Sequence, residues 1–332
     1  MLPGPHRPNG ALAVPLPIVE LRVPALIADA GDRAARRFLE FFTATIRNPN
    51  TRGAYSRACR DFFAWCQQHH LALADIEPLH VATYIEALTA RRSAPTVKQH
   101  LAAIKMLFDH LVTGQVVAFN PASSVRGPKH VVKKGKTPVL TADDARALLD
   151  SIVPDEGNAR LIDLRDRALI AVMVYSFARI SAVVGMKVED YYPNGKRWWL
   201  RLHEKGGKFH EMPAHHNAEA YLDAYIQAAG ISEERKSPLF RSIPARTGNM
   251  TALPLDRRNA WDMVKRRAKA AGLTNRLCNH SFRGTGITAY LENGGDIVKA
   301  QQMAAHADIK TTKLYDRTDD QVTLDEVERI GI

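Results

Sequence analysis

Between Ser93 and Val112, apolar side chains recur at Val97, Leu101, Ile104, Phe108 and Leu111. Steps of four, three, four and three put all five on one face of an α-helix, whereas a strand would need a period of two. Ser93 suits the N-cap and Pro95 the first helical turn, where a missing N–H has no intrahelical partner to lose. The same rhythm runs through Tyr55, Cys59, Phe62 and Cys66, with Arg52, Arg57 and Arg60 off the stripe. A shorter helix fits "PLHVATYIEALTA". Helices with one apolar face must bury it against another element, so residues 31–120 are expected to form a small all-helical domain with basic outer faces.

Around this domain the composition shifts. Residues 1–30 are rich in proline and poor in charge, which predicts a flexible extension. They lack a basic stretch followed by a clean apolar core, so no secretion signal is expected. No run approaches the ~20 apolar residues that cross a bilayer, and Cys59, Cys66 and Cys278 form no CxxC pair or disulfide framework. These features fit a cytoplasmic protein. Its net charge is +11 and its pI about 9.6, a balance that points to a polyanionic partner. From Thr51 to Leu140, twelve basic residues face five acidic ones. Residues 121–138 read as a basic linker in which Arg126, Lys129, Lys133, Lys134 and Lys136 stand without an acid. Such a run is either a solvated connector or one that also lies across a phosphate backbone.

A second domain, expected over residues 139–318, opens with Thr141 and Asp144 as a capping box. "LIDLRDRALIAVMVYSFARISAVVGM" reads as an apolar helix, a break and a second short helix. "RWWLRLHEKGGKFHEMPAH" alternates on either side of Gly206-Gly207, the pattern of a β-hairpin. Further helices are expected near 217–229, 257–271, 281–292 and 296–304, with another holding Tyr315. The fold class is therefore mainly α with a small antiparallel β element. In the tail, residues 319–332, Leu324, Val327 and Ile330 share an apolar stripe on a short acidic helix. It could dock on its own chain or on a neighbour.

Several residues stand in contexts that call for a chemical explanation. Cutting a DNA strand without metal or nucleotide requires a nucleophile, cations on the non-bridging oxygens and a proton for the departing oxygen. Arginine grips phosphate bidentately and stays charged. Tyrosine can attack if neighbouring cations or a base help, and lysine can protonate the leaving group. Arg179 sits at the break between apolar helices, where the alternative is a buried arginine paired to Asp163 or Asp166. Lys205 sits at the hairpin tip, as a groove-reaching cation or a soluble turn. His280 and Arg283 lie one helical turn apart. His306 precedes Tyr315, itself either a nucleophile or an ordinary amphipathic surface residue.

The order Arg…Lys…His-x-x-Arg…His…Tyr, in these contexts, resembles the tyrosine recombinases, the lambda-integrase and Xer-like family. "FARISAVVGMKVEDY" resembles the first-arginine box and "EKGGKFHEMP" the lysine hairpin. "HSFRGTGITAYLENGGDIVKAQQMAAHADIKTTKLYDR" resembles the stretch from the His-x-x-Arg box to the tyrosine. The match runs over about Leu140 to Arg317, and the upstream helical region resembles the family's SAM-like core-binding domain. The resemblance implies a site-specific DNA recombinase that works through a 3′-phosphotyrosyl intermediate and a Holliday junction, as a homotetramer on two duplexes, without cofactor, metal or ATP. It implies that Tyr315 is the nucleophile, that Arg179 and Arg283 clamp the phosphate and that Lys205 is the general acid. His280 would be a base or hydrogen-bond partner and His306 a further phosphate contact. Arg52, Arg57, Arg60, Lys98, Arg126, Lys129, Lys133, Lys134, Lys136 and Lys208 are the candidate DNA contacts.

The sequence departs from the pattern in three places. Ala182 stands where most relatives carry an acid, Ala304-Ala305 precedes His306 in place of Leu-Gly, and Glu204 replaces the hairpin's first glycine. An alanine at 305 requires only a helical backbone there. Two other functions fit the same residues: a type IB topoisomerase, or a recombinase-derived DNA-binding protein that no longer cuts.

Overall fold

The computed structural model describes residues 13–16, 19–130, 135, 137–153, 155–204, 207, 209–244, 246–274, 276–316 and 327–330. The chain divides into two compact units, residues 1–131 and 132–332.

The first unit is built on five helices: α1 (Ala25–Asp29), α2 (Asp32–Glu40), α3 (Pro49–Gln68), α4 (Pro78–Thr89) and α5 (Ala94–Thr113). Asn48 starts α3, its Oδ1 accepting from the N–H groups of Asn50 and Thr51, with Pro49 in the first turn. Ser93 occupies the N-cap of α5, but its hydroxyl bonds Thr96 Oγ1 instead of the backbone. The stripe predicted on α5 is buried in full, as are Cys59, Phe62 and Cys66 of α3. After Glu40 the chain takes one wide π-turn over Phe41–Thr45. The successive Phe41 and Phe42 are both buried there. They join Phe38, Phe62, Phe63 and Phe108 in an aromatic core with edge-on contacts.

Two expectations are corrected here. A flexible extension through residue 30 does not describe Ala25–Asp29, a helical turn whose Leu26 and Ile27 are buried in the aromatic core. Just before it, Ala13–Leu16 (β1) and Val19–Arg22 (β2) pair antiparallel. The connector also begins later than residue 121, because Ala122 and Val125 belong to the core of this unit.

The second unit surrounds α7 (Leu161–Ser176), which is buried along nearly its whole length. α6 (Ala142–Ile152), capped by Thr141 Oγ1 on the Asp144 N–H, packs beside it. So do α9 (His216–Ala229), α10 (Arg257–Ala270) and α11 (Asn279–Glu292). A buried helix cannot leave charges unpaired, and α7 carries Asp163, Arg165 and Asp166. These close an ion-pair network with Arg160 and Arg267, at N···O distances of 2.6–2.7 Å. The expected hairpin is present as β4 (Arg197–His203) and β5 (Phe209–Pro213), with Leu202 opposite His210. A strand absent from the sequence reading, β3 (Tyr191–Asn194), extends it to the antiparallel order β3-β4-β5. Short helices α8 (Ile180–Val184), α12 (Ile297–Met303) and α13 (Ile309–Lys313) finish the unit.

Candidate active site

The break after α7 is a sharp one. Phe177 ends the helix in the left-handed region at φ 56°, a conformation that costs a β-carbon residue energy and needs surrounding support. Its ring lies buried in a small core with Ile287, Leu291 and Tyr315. Two residues later Arg179 becomes the N-cap of α8. The break thus aims the Phe177 carbonyl and the Arg179 side chain into one space.

Arg283 enters that space from α11, fully buried. Its Nη1 and Nη2 donate to the carbonyls of Phe177 and Ala304, and Glu204 Oε1 lies 3.7 Å from Nη1. Its Nε is buried without a partner among the described residues. Burial and the Arg179 charge bring its pKa down to about 10, which leaves it charged at neutral pH. Arg179 is paired not with Asp163 or Asp166, which serve Arg160, Arg165 and Arg267, but with Glu204. Its Nη1 donates to Oε2 at 2.5 Å and its backbone N–H to Oε1 at 3.0 Å.

Tyr315 is buried, two residues past the end of α13. Its backbone carbonyl accepts from Thr288 Oγ1 at 2.9 Å. Its ring lies against Gly284, where a β-carbon would come within 3.0 Å of Cε1. Its hydroxyl is 2.9 Å from His280 Nε2. His306 lies nearly parallel to the phenol with ring centres 6.2 Å apart, and its Nδ1 is 2.9 Å from Thr312 Oγ1. Burial raises the phenol pKa, while Arg283 and Arg179 act to lower it. Burial and the same two charges lower His280 and push His306 down to about 3, so both imidazoles are neutral at physiological pH. A neutral His280 can accept the phenol proton.

The structure therefore brings Arg179, Arg283, His280, His306 and Tyr315 into one pocket. Lys205 and Lys208 lie outside the described residues, as do Lys133, Lys134 and Lys136. Arg57 and Arg60 are exposed on α3, Lys98 is exposed on α5, and Arg126 and Lys129 are exposed beyond it. Arg52 is half-buried on α3, where its Nε and Nη2 donate to the Ile46 carbonyl at 3.1 and 2.9 Å. Ala305 is a correction, since its φ of 46° is left-handed, not helical. Of the tail, Val327 and Ile330 are exposed. Glu204, Gly284 and Thr312 are members of the pocket that sequence reasoning did not select. Glu204 alone left a trace, as a departure from the hairpin pattern.

Among known proteins, the phage integrase family pattern matches residues 138–322, and the phage integrase N-terminal SAM-like domain matches residues 35–116. Tyrosine recombinase XerD of Mycobacterium leprae is 31% identical over 226 residues, covering 68% of this chain and 70% of its own. XerD of Chlorobaculum tepidum is 25% identical over 288 residues, covering 85% and 90%. The chain belongs to the phage integrase family of tyrosine recombinases. Two solved structures share the fold. XerH recombinase on a palindromic difH substrate has a TM-score of 0.68 and 16% identity, over 87% of this chain and 91% of that one. A lambda integrase (75-356) dimer on a COC′ core site has a TM-score of 0.65 and 17% identity, over 88% and 97%.

Proposed function

We propose that this chain recombines double-stranded DNA at specific sites by transient attachment through Tyr315. The phenol oxygen attacks the scissile phosphorus, the phosphorus–O5′ bond breaks, and a 3′-phosphotyrosyl ester and a free 5′ hydroxyl result. His280 takes the phenol proton or holds it in a hydrogen bond. Arg179 and Arg283 bind the non-bridging oxygens, where negative charge grows in the transition state. Lys205 gives the departing 5′ oxygen its proton, and His306 adds a contact on the phosphate side. The ester preserves the bond, so a 5′ hydroxyl from a second duplex reverses the step without ATP. Four chains on two duplexes exchange strands in turn through a Holliday junction. The exposed Arg57, Arg60, Lys98, Arg126 and Lys129 hold backbone phosphates, and the apolar stripe of the tail docks on a neighbouring chain. DNA of this kind places the protein in the cytoplasm with the nucleoid.

The observation that carries this reading is the 2.9 Å contact between Tyr315 Oη and His280 Nε2, in the pocket that holds both arginines. A library of nicked duplexes with randomised arms tests it, because loss of the short strand beyond the nick traps the ester. The expected result is a detergent-resistant protein–DNA adduct that disappears in Tyr315→Phe. An adduct that persists in that variant would assign attack to another residue. Binding without any adduct would leave a DNA-binding protein. Efficient relaxation of a supercoiled plasmid lacking every captured site would favour the topoisomerase.

A further inference from the structure

The side chain of Glu204 has no solvent exposure, and a buried carboxylate is costly unless it is fully partnered. Its partners are the two arginines of the pocket. Oε2 accepts from Arg179 Nη1 at 2.5 Å, Oε1 accepts from the Arg179 N–H at 3.0 Å, and Oε1 lies 3.7 Å from Arg283 Nη1.

The backbone bond explains why an acid is needed. Arg179 is the N-cap of α8, which makes Ile180, Ser181 and Ala182 its first three helical residues. In a capping box the third of these carries a Glu or Gln that reaches back to the N-cap N–H. Ala182 has only a buried methyl to offer. The acceptor comes instead from the end of β4, 25 residues away in sequence, and the same carboxylate goes on to bind the arginine's own side chain.

We propose that Glu204 is a positioning residue that fixes Arg179 and Arg283 as one phosphate clamp, performing the capping that Ala182 cannot. Glu204 directly precedes Lys205, so the same bonds moor the root of the lysine hairpin to the clamp. The carboxylate takes a single side-chain nitrogen of Arg179. Nε and Nη2 have no partner among the described residues, and the side chain keeps 29% exposure. The guanidinium is held from behind with an open face for phosphate.

The inference rests on the recombinase reading, and its test separates the two. The full-length chain and the randomised nicked duplexes are used with Glu204→Gln, Glu204→Ala, and Glu204→Ala combined with Ala182→Glu. Glutamine preserves shape and most hydrogen bonds but removes the charge. It is expected to slow adduct formation about 10²-fold while duplex retention changes less than about 3-fold, since the clamp acts chiefly in the transition state. Glu204→Ala should be slower still, and adding Ala182→Glu should recover at least about 10-fold by restoring the local cap. Unchanged or faster cleavage in the single variants would overturn the proposal, the faster case making Glu204 a competitor of phosphate. So would a parallel loss of binding and cleavage, or a double variant no faster than Glu204→Ala. If the parent chain makes no adduct, the recombinase reading fails instead. Melting temperature then tests the clamp: a drop in Glu204→Ala that Ala182→Glu reverses supports it, and no drop, or a drop that is not reversed, overturns it.

Discussion

Burial and the Arg283 and Arg179 charges push the His306 imidazole down to about 3, whereas a histidine in an unfolded chain titrates near 6.5. The unfolded state therefore takes up the proton first as pH falls. The stability tied to this residue is complete above about pH 6.5 and is lost progressively from there towards pH 3, at no more than about 1.4 kcal/mol per unit. His280, lowered by burial and the same charges, acts in the same direction. Burial acts to raise the Glu204 carboxyl, but its bonds to Arg179 and the charges of Arg179 and Arg283 outweigh that and hold it low, so it adds its loss only at the acid end. The melting temperature should fall between pH 7.5 and pH 5.5, and calorimetry on His306→Asn should show a smaller fall. An equal fall in both would show that the acid sensitivity does not come from His306. The five residues that converge here could be picked out of the sequence through their order and surrounding motifs, which resemble those of a known family; taken singly, each had an ordinary structural reading. Glu204 could not. Its meaning depends on a pairing with Arg179 through tertiary structure, and an acid beside a Gly-Gly turn reads as solvated. Ala305 was misread for a related reason, since the sign of a backbone angle leaves no mark on an alanine.

Among the elements, α7 and α11 do most to shape the pocket, and they approach each other at a glycine. A β-carbon on Gly286 would lie 2.0 Å from the Val174 carbonyl oxygen and 2.7 Å from the Phe177 ring. That approach also sets how Arg283, one turn earlier on α11, meets the Phe177 carbonyl. Gly286→Ala must therefore separate the helices, and a cost of about 3 kcal/mol is expected, at the upper end for overpacking. A shift in the urea midpoint would measure it; a variant as stable as the parent would show that the helices tolerate separation. Helices with a sustained period of three and four were legible in the sequence, because α3 and α5 each run for 20 residues. Among the shortest elements α8 was marked by the break before it, but α1 and β3 were not legible: α1 is too short to display a period, and β3 pairs through a turn at Gly195-Lys196 that only its partner strand makes plain.

At the scale of the whole molecule, the division between the units falls after Val131, inside the basic stretch that composition alone marked as a connector. The charge excess could be read from the sequence, but which cations stay available could not. Arg52 is tied to Ile46, while Arg57 and Arg60 on the same helix remain exposed. The second unit also contains its own Tyr315, anchored by Thr288 and set against Gly284, next to its own arginines. On the proposed reading, each subunit supplies its own nucleophile beside its own phosphate-binding arginines. A mixture of Tyr315→Phe chains with Arg283→Lys chains, each inactive, should fail to complement, because neither kind of subunit can lend its neighbour the missing group. Recovery of adduct in the mixture would reveal a tyrosine that swings out of its berth and serves the subunit next door.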